Sequence, residues 1–138
     1  MKVLIDTNVI LDVLLKRAPF DTDSYTVLKY CEQNVVEGYI SSFAVTDIYY
    51  FISKNLGNEK ARQGIEALLS IVKLVGITKK DVEDALRNPA IKDLEDALQL
   101  QCAKKIKAEW LITRDDKFKK LISKAITPFD FVHTIIKP

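Results

Sequence analysis

Histidine is nearly absent from this chain, and its few glycines are not clustered. The single histidine, His133, lies in the apolar C-terminal segment, where we expect a packed or surface side chain. Neither a Ser-His-Asp set nor a histidine-based zinc site can be built around it. The four glycines, at positions 38, 57, 64 and 76, are scattered, so no glycine-rich phosphate loop is present. The sequence therefore argues against these three kinds of site.

Cysteine is scarce, and long apolar runs are missing. Cys31 and Cys102 lie in helical apolar patterns, so we expect small reduced core residues rather than a disulfide. No apolar stretch approaches the roughly 20 residues that a membrane span needs. Met1 and Lys2 run directly into a short strand pattern rather than a signal peptide. We expect a cytoplasmic protein without membrane association.

The composition is that of an ordinary globular domain, with a basic C-terminal part. Of 138 residues, 48% are apolar and 29% charged, which predicts one domain over residues 1–138. Residues 101–138 carry nine basic and four acidic side chains, whereas residues 1–100 carry twelve and fifteen. Two interpretations stay open: solvated helix faces, or a surface that contacts a phosphate backbone. The basic residues concerned are Lys104, Lys105, Lys107, Arg114, Lys117, Lys119, Lys120 and Lys124.

Short apolar segments alternate with helical patterns along the chain. Strands are predicted at 2–5, 38–41, 73–77, 110–113 and 126–127. Helices are predicted at 7–16, 23–34, 42–55, 59–71, 78–88, 91–107 and 116–124, the third capped by Ser41 or Ser42. Strands separated by helices imply a three-layer α/β/α sandwich with a short, mostly parallel central sheet.

Aspartates follow two of the predicted strands. Asp6 comes after Val3-Leu4-Ile5, and Asp115 comes after the 110–113 strand. In parallel sheets the ligand site lies beyond the carboxyl ends of the strands. A carboxylate among apolar residues is costly to bury unless it is neutralised, and a hard divalent cation is a suitable partner. The alternative is local: Asp6, and Asp115 or Asp116, could simply cap the helices that follow.

Further acids lie inside predicted helices. Asp47 has mostly apolar neighbours, so an acid in the middle of this helix requires an explanation. Asp93 and Asp96 are three residues apart, which predicts one shared helix face on which like charges repel. Lys92 and Gln99 could soften that repulsion, so an exposed face stays possible. Taken together, the acids favour metal-dependent chemistry on phosphate.

The ordered set of motifs resembles the PIN domain nucleases over essentially the whole chain. It comprises an apolar strand ending in Asp6-Thr7-Asn8, an acid in the helix after the second strand, Asp96-Ala97 on a late helix, and Thr113-Arg114-Asp115. The resemblance implies a single PIN-like domain that hydrolyses RNA phosphodiester bonds with a metal ion. Many short single-domain members are VapC-type toxins of toxin–antitoxin pairs.

The resemblance also implies a role for each matched residue. Asp6, Asp96 and Asp115 would hold Mg²⁺ or Mn²⁺. Asp47, where many members have Glu, would reach the metal through water or act on the attacking water. Supporting positions would be Thr7, Asn8, Asp93, Thr113 and Arg114, with Arg114 helping to hold the RNA backbone and Asp116 capping the next helix.

Partners and alternative functions follow in the same way. Toxins of this type pair with an antitoxin and often form homodimers. The apolar segment 48–52 exceeds what one helix face needs, so it could form such a surface or belong to a helix buried on several sides. Two other functions stay open. One is a catalytically silent binding or scaffold module, and the other an aspartate-based phosphatase or receiver domain that uses Asp6.

Overall fold

The computed structural model describes residues 1–136 and contains a five-stranded sheet. The strand order is β3-β2-β1-β4-β5, and all four neighbouring pairs are parallel. The strands are β1 Lys2–Ile5, β2 Glu37–Ser41, β3 Lys73–Val75, β4 Trp110–Ile112 and β5 Ala125–Ile126. The helices are α1 Thr7–Leu14, α2 Asp21–Glu32, α3 Ala44–Leu56, α4 Asn58–Leu69, α5 Lys79–Leu86, α6 Leu94–Ile106, α7 Asp116–Leu121 and α8 Pro128–Asp130, followed by a π-helical turn, Phe131–Ile135.

The central strand β1 is buried on both faces of the sheet. Successive side chains of a strand point to opposite faces, so Val3 and Ile5 pack with α1 to α4 on one side. Leu4 packs on the other side, in the cluster that contains residues of α5, α6 and α7. Ile112 and Leu111 of β4 divide between the two clusters in the same way. The predicted α/β/α sandwich is confirmed, with a parallel sheet.

Several helices begin at other residues than the pattern predicted. Ser41 stays in β2 because it pairs with Val75, and the Ser42 amide donates to the Val75 carbonyl at 2.8 Å. This extended pairing delays α3 until Ala44, so the prediction of Ser41 or Ser42 as its cap was wrong. Thr78 caps α5 in a reciprocal capping box with Asp81.

The strand order contains one topological switch point. From β1 the chain moves outward to β2 and β3 on one side, then returns to place β4 and β5 on the other. The switch point therefore lies between β1 and β4, which is where open α/β sheets bind ligands. The Asp6 amide donates to the Ile112 carbonyl at 2.9 Å, so the ends of these two strands are tied together.

The cysteines and the histidine occupy the kinds of position that the sequence predicted. Cys31 and Cys102 are free and buried, and burial raises the pKa of their thiols to about 12 and about 11. The His133 side chain is half exposed and lies 3.1 Å from a carboxylate oxygen of Asp23. Within residues 1–136, no helix has the length and apolarity to cross a membrane.

Candidate active site

A cleft with acidic walls opens at the switch point between β1 and β4. Its volume is about 660 Å³, and all four of the predicted catalytic acids line it. We call it the acidic cleft. Its lining residues are Asp6, Thr7, Asn8, Leu11, Arg17, Asp47, Phe51, Asp93, Glu95, Asp96, Gln99, Asp115 and Lys117. The fold thus brings together acids that are up to about one hundred residues apart in the sequence.

Asp6 lies at the innermost part of this arrangement and accepts four hydrogen bonds. Oδ1 accepts from the Thr7 amide at 2.8 Å and from Gln99 Nε2 at 3.0 Å. Oδ2 accepts from Thr113 Oγ1 at 2.8 Å and from Asn8 Nδ2 at 3.3 Å. Burial raises the pKa of Asp6 despite these donors, and repulsion from Asp115 adds to the increase. Its side chain is fixed in orientation, but its charge has no cationic partner among these contacts.

Asp115 is held by the loop that follows β4. Its amide donates to Thr113 Oγ1 at 3.0 Å, so one hydroxyl joins Asp115 to Asp6. Its carboxylate accepts from the Lys117 amide at 3.0 Å and caps α7. The prediction that Asp116 caps this helix was therefore wrong, because Asp116 is the exposed first residue of α7. Asp115 combines the capping role with a place in the acidic cleft.

The start of α6 contributes three acids to the cleft. Asp93 precedes the helix and caps it by accepting from the Asp96 amide at 3.0 Å. The predicted shared helix face of Asp93 and Asp96 was therefore wrong, because the helix begins only at Leu94. Burial, followed by repulsion from Asp93, Asp115 and Asp6, raises the pKa of Asp96 to about 6. Glu95 also lines the cleft, and burial and repulsion from Asp47 raise its pKa.

Asp47 lies in the first turn of α3 rather than in its middle. The expectation of a mid-helix acid was wrong because pairing of β2 with β3 moves the start of the helix to Ala44. An acid near a helix N-terminus is stabilised by the helix dipole, so Asp47 has a structural reason to be there. It still lines the acidic cleft, half-buried, and its charge acts on Glu95.

Arg114 forms an internal ion pair with Asp12, a residue that the sequence analysis did not single out. Its Nε and Nη2 atoms donate to the two Asp12 oxygens at 2.5 and 2.7 Å. Asp12 is completely buried and also accepts from Ser24 Oγ at 3.2 Å. The Arg114 amide donates to Asn8 Oδ1 at 3.3 Å. Arg114 therefore fixes the loop that carries Asp115, and its predicted contact with RNA stays a prediction.

Few of the basic residues near the C-terminus face the cleft. Lys117 lines it, together with Arg17 from the segment after α1. Lys105 instead contacts Asp81 and the Gly76 carbonyl, both at 2.9 Å, and Lys124 donates to the Ala108 carbonyl at 3.3 Å. Lys105 and Lys124 thus make contacts within the protein, and a surface that contacts a phosphate backbone stays a prediction.

Among the residues of the cleft, Gln99 is the one whose role the sequence predicted least well. It is buried in α6, where its Nε2 donates to Asp6. Its Oε1 atom is buried and has no hydrogen-bond partner within residues 1–136. The available signal in the sequence was a polar residue between positions 97 and 102, where Ala97 and Cys102 are buried core residues. The sequence pattern suggested for Gln99 only a softening of the Asp93–Asp96 repulsion.

The donors of the acidic cleft fit a hard divalent cation. They are carboxylate oxygens, and the raised pKa values of Asp6, Asp96 and Glu95 show charges that a cation would stabilise. Within residues 1–136, no three acidic, histidine or cysteine side chains form a ready-made ligand group. Mg²⁺ usually keeps several waters and uses only one or two carboxylates, so such an ion suits this more open arrangement.

Fold and site together define a class: an α/β protein with a carboxylate site for a cation at the switch point of a parallel sheet. Comparison with known proteins makes the class specific. The sequence pattern of the family described as PIN domain matches residues 2–117, and the chain belongs to the PIN domain family. The resemblance seen in the motifs is therefore confirmed.

Relatives of this chain are named as nucleases and toxins. Ribonuclease VapC1 of Aquifex aeolicus (strain VF5) is 29% identical over 134 residues, covering 94% of this chain and 92% of the relative. The fold is shared with VapBC2 from Rickettsia felis bound to promoter DNA, with TM-score 0.72, 20% identity and coverage of 92% and 98%. It is also shared with a toxin–antitoxin complex from Klebsiella pneumoniae, with TM-score 0.70, 24% identity and coverage of 91% and 97%.

Proposed function

We propose that this protein is a metal-dependent endoribonuclease that hydrolyses RNA phosphodiester bonds with Mg²⁺ or Mn²⁺. The observation that carries the proposal is the convergence of Asp6, Asp47, Asp96 and Asp115 on one cleft at the switch point. Membership of the PIN domain family and the relative named ribonuclease support the same activity.

We infer a role for each cleft residue from the family resemblance and from its position in the cleft. Asp6, Asp96 and Asp115 would hold the ion, which supplies positive charge to the phosphate and activates water. Thr113 and Gln99 keep the Asp6 carboxylate in place through their hydrogen bonds. Supporting roles fall to Asp47 through water, to Asp93, Thr7 and Asn8 at the cleft wall, and to the cations Arg17 and Lys117 beside the RNA phosphates.

We further propose a cytoplasmic toxin that pairs with an antitoxin and forms a homodimer. Solved relatives are described as VapBC and toxin–antitoxin complexes. The surface of α3 agrees with such partners. Ile48 and Ile52 are buried, whereas Tyr50 and Phe51 are 52% and 40% exposed. The segment 48–52 is therefore not buried on several sides, and its aromatic side chains are available to a partner.

The two alternative functions are less well supported. A catalytically silent module would be expected to lack one of the acids, yet all four line the cleft. Receiver domains have the strand order 2-1-3-4-5, whereas this sheet has the order 3-2-1-4-5. The RNA-cleavage test described next distinguishes the silent module from an active nuclease.

Cleavage of a mixed pool of structured RNA tests the proposed activity. Purified wild type should cut with Mg²⁺ or Mn²⁺ and not with EDTA, and Asp6→Asn should not cut. Asp84→Asn provides a matched control because Asp84 pairs with Lys80 on α5, outside the cleft. If folded wild type without bound inhibitor leaves the pool intact, the silent binding module becomes the better description.

A further inference from the structure

A second pocket lies beside the acidic cleft and has a different chemical character. Its volume is about 490 Å³, within the roughly 300–1,000 Å³ of small-molecule sites. We call it the aromatic pocket. Its walls include the rings of Phe20 and Phe129 and the side chains of Asp23, Arg114 and Asp116.

The aromatic pocket is continuous in sequence with the acidic cleft. Arg114 and Asp116 line the pocket, and Asp115 between them lines the cleft. The loop after β4 therefore contributes to both. Because the Arg114 guanidinium is fixed on buried Asp12, the wall between the two sites is held in place. The two sites are therefore neighbours on the surface, with one loop forming part of both.

The aromatic pocket exposes two flat rings to solvent. Phe20 is 45% and Phe129 58% exposed, which leaves considerable apolar surface in water. Phe20 lies with its ring 3.9 Å from the Arg114 guanidinium carbon, so part of this ring is covered. The Phe129 ring packs against the His133 ring, with ring centroids 4.5 Å apart and planes tilted by 42°. These rings offer stacking surfaces to a planar group.

The polar groups of the pocket distinguish between possible planar groups. One oxygen of Asp23 lies 3.1 Å from His133 Nε2, which leaves its other oxygen and the carboxylate of Asp116 to repel phosphate and to accept hydrogen bonds from amino groups. The one guanidinium, on Arg114, is already neutralised by Asp12. Rings for stacking together with carboxylate acceptors match the face and the amino-bearing edge of a nucleobase.

We propose that the aromatic pocket binds one unpaired nucleobase of the RNA, next to the phosphate at the acidic cleft. Phe129 stacks on the base, and Asp23 or Asp116 accepts from its amino group. Adenine, cytosine and guanine carry such a donor and are preferred over uracil. This inference rests on the proposed ribonuclease function and adds a specificity site to it.

Base removal in a cleavable RNA tests the pocket together with Phe129 variants. A fluorescent single-stranded RNA that the wild type cuts is prepared with an abasic site at each position flanking the cut. One position should raise KM about tenfold for wild type, in line with base–aromatic stacking. For Phe129→Leu, the same abasic RNA should raise KM only slightly, because that variant has already lost the stacking. Replacing the base at that position by uracil should give a smaller increase.

Matched variants separate stacking from simple packing and from misfolding. Phe129→Tyr keeps the ring and should keep the wild-type KM, whereas Phe129→Leu keeps the apolar bulk and should raise KM about tenfold. Tyr25→Ala removes an exposed ring on α2 that lies outside the aromatic pocket, and its KM should not change. Thermal midpoints of all variants are measured to verify that they are folded.

Two outcomes overturn the proposal in distinguishable ways. If Phe129→Leu keeps the wild-type KM while Asp6→Asn is inactive, the pocket has no base and the nuclease function stands. If wild type neither cleaves the RNA nor binds it in fluorescence anisotropy, both proposals fail together.

Discussion

The carboxylates of this protein fall into two groups that differ in what neutralises them. Asp12 is fully buried against Arg114, and Asp81 accepts from the Thr78 amide at 2.8 Å and from Lys105 Nζ at 2.9 Å. These contacts hold the pKa of Asp81 down at about 2. Within residues 1–136, the acids of the cleft form no such ion pair, although Arg17 and Lys117 line the same cleft, and burial raises the pKa of Asp96 to about 6.

The comparison separates structural carboxylates from those kept for an external partner. Asp12 and Asp81 join distant segments: Asp12 contacts the loop after β4, and Asp81 contacts α6 through Lys105. Within residues 1–136, Asp6 accepts hydrogen bonds only from neutral donors, namely amide and hydroxyl groups, so no cation neutralises its carboxylate there. An acid that is positioned by neutral donors keeps its affinity for a cation that arrives from solution.

Converting a paired carboxylate into an unpaired one should have the largest effect. Arg114→Met leaves Asp12 buried without its cation and should lower the free energy of unfolding by about 3–5 kcal/mol. Urea unfolding of the purified variant measures the loss. Replacing both partners, with Asp12→Leu and Arg114→Met together, should recover most of it.

Arg87→Met is the matched control for this experiment. Arg87 pairs with Glu83 on the surface at 3.9 Å, so its loss should change the free energy of unfolding by less than about 0.5 kcal/mol. An Arg114→Met protein as stable as the Arg87→Met protein would show that the buried pair does not organise this loop.

Removing an unpaired carboxylate should raise the stability of the protein and lower its activity. Asp96→Asn should lower RNA cleavage by at least about 100-fold, as expected for loss of a metal ligand. Its thermal midpoint in EDTA at pH 7 should rise, because repulsion from Asp93, Asp115 and Asp6 is removed. The backbone amide that donates to Asp93 is retained in this variant. A lower midpoint with full activity would place Asp96 in the structural group.

Weakening a structural carboxylate site without unpairing a buried charge should have a smaller effect. Thr78→Ala removes one half of the capping box of α5 and should cost about 1 kcal/mol of unfolding free energy. RNA cleavage should not change, because Thr78 is outside the acidic cleft. Thr26→Ala on α2, whose hydroxyl contacts only the Thr22 carbonyl at 3.0 Å, should leave stability nearly unchanged. Equal losses in the two variants would argue against the cap.

The two groups of carboxylates should also change the stability of the protein with pH in opposite directions, and this is the smallest of the expected effects. Folded Asp96 keeps its proton up to about pH 6, whereas an unfolded aspartate loses it near 3.8. Stability without metal should therefore fall as pH rises through that window, by less than about 1 kcal/mol because Asp96 is partly solvated. Folded Asp81 ionises near 2, so its contribution is lost as pH falls below about 4.

Urea titrations in EDTA across pH 2–7 resolve these two contributions. Asp96→Asn should flatten the upper part of the profile, and Asp81→Asn should flatten the lower part. A profile whose upper part is the same in wild type and Asp96→Asn would contradict the raised pKa of Asp96.

The sheet and the main acids were readable from the sequence because they depend on local patterns. A branched apolar run before Asp6 predicts a buried strand, and the end of a parallel strand predicts the position of a site. Asp115 followed from the same pattern in β4. Gln99 and Asp12 did not, because their partners, Asp6 and Arg114, are 93 and 102 residues away in the sequence.

The helix starts were predicted less well because tertiary pairing determines them. Asp47 looked like a mid-helix acid in an apolar segment, but the pairing of Ser41 with Val75 keeps Ser41 in β2, and α3 begins only at Ala44. The position of Asp93 matched the helical pattern of α6. In the structure, however, Asp93 precedes the helix and caps its N-terminus by accepting a hydrogen bond from the Asp96 amide. A contact between two strands decided where α3 begins, whereas a side-chain cap three residues away decided where α6 begins.

The acidic cleft is also an assembly of chain segments that are synthesised at different times. Asp6 is made early, whereas Thr113, which donates to it, follows 107 residues later. At the usual 5–20 residues per second of translation, roughly 5–20 s separate the two. A growing chain cannot complete the site before β4 and its loop have emerged. The protein should therefore gain activity in a single late step of its own synthesis, and truncation before residue 113 should leave an inert chain.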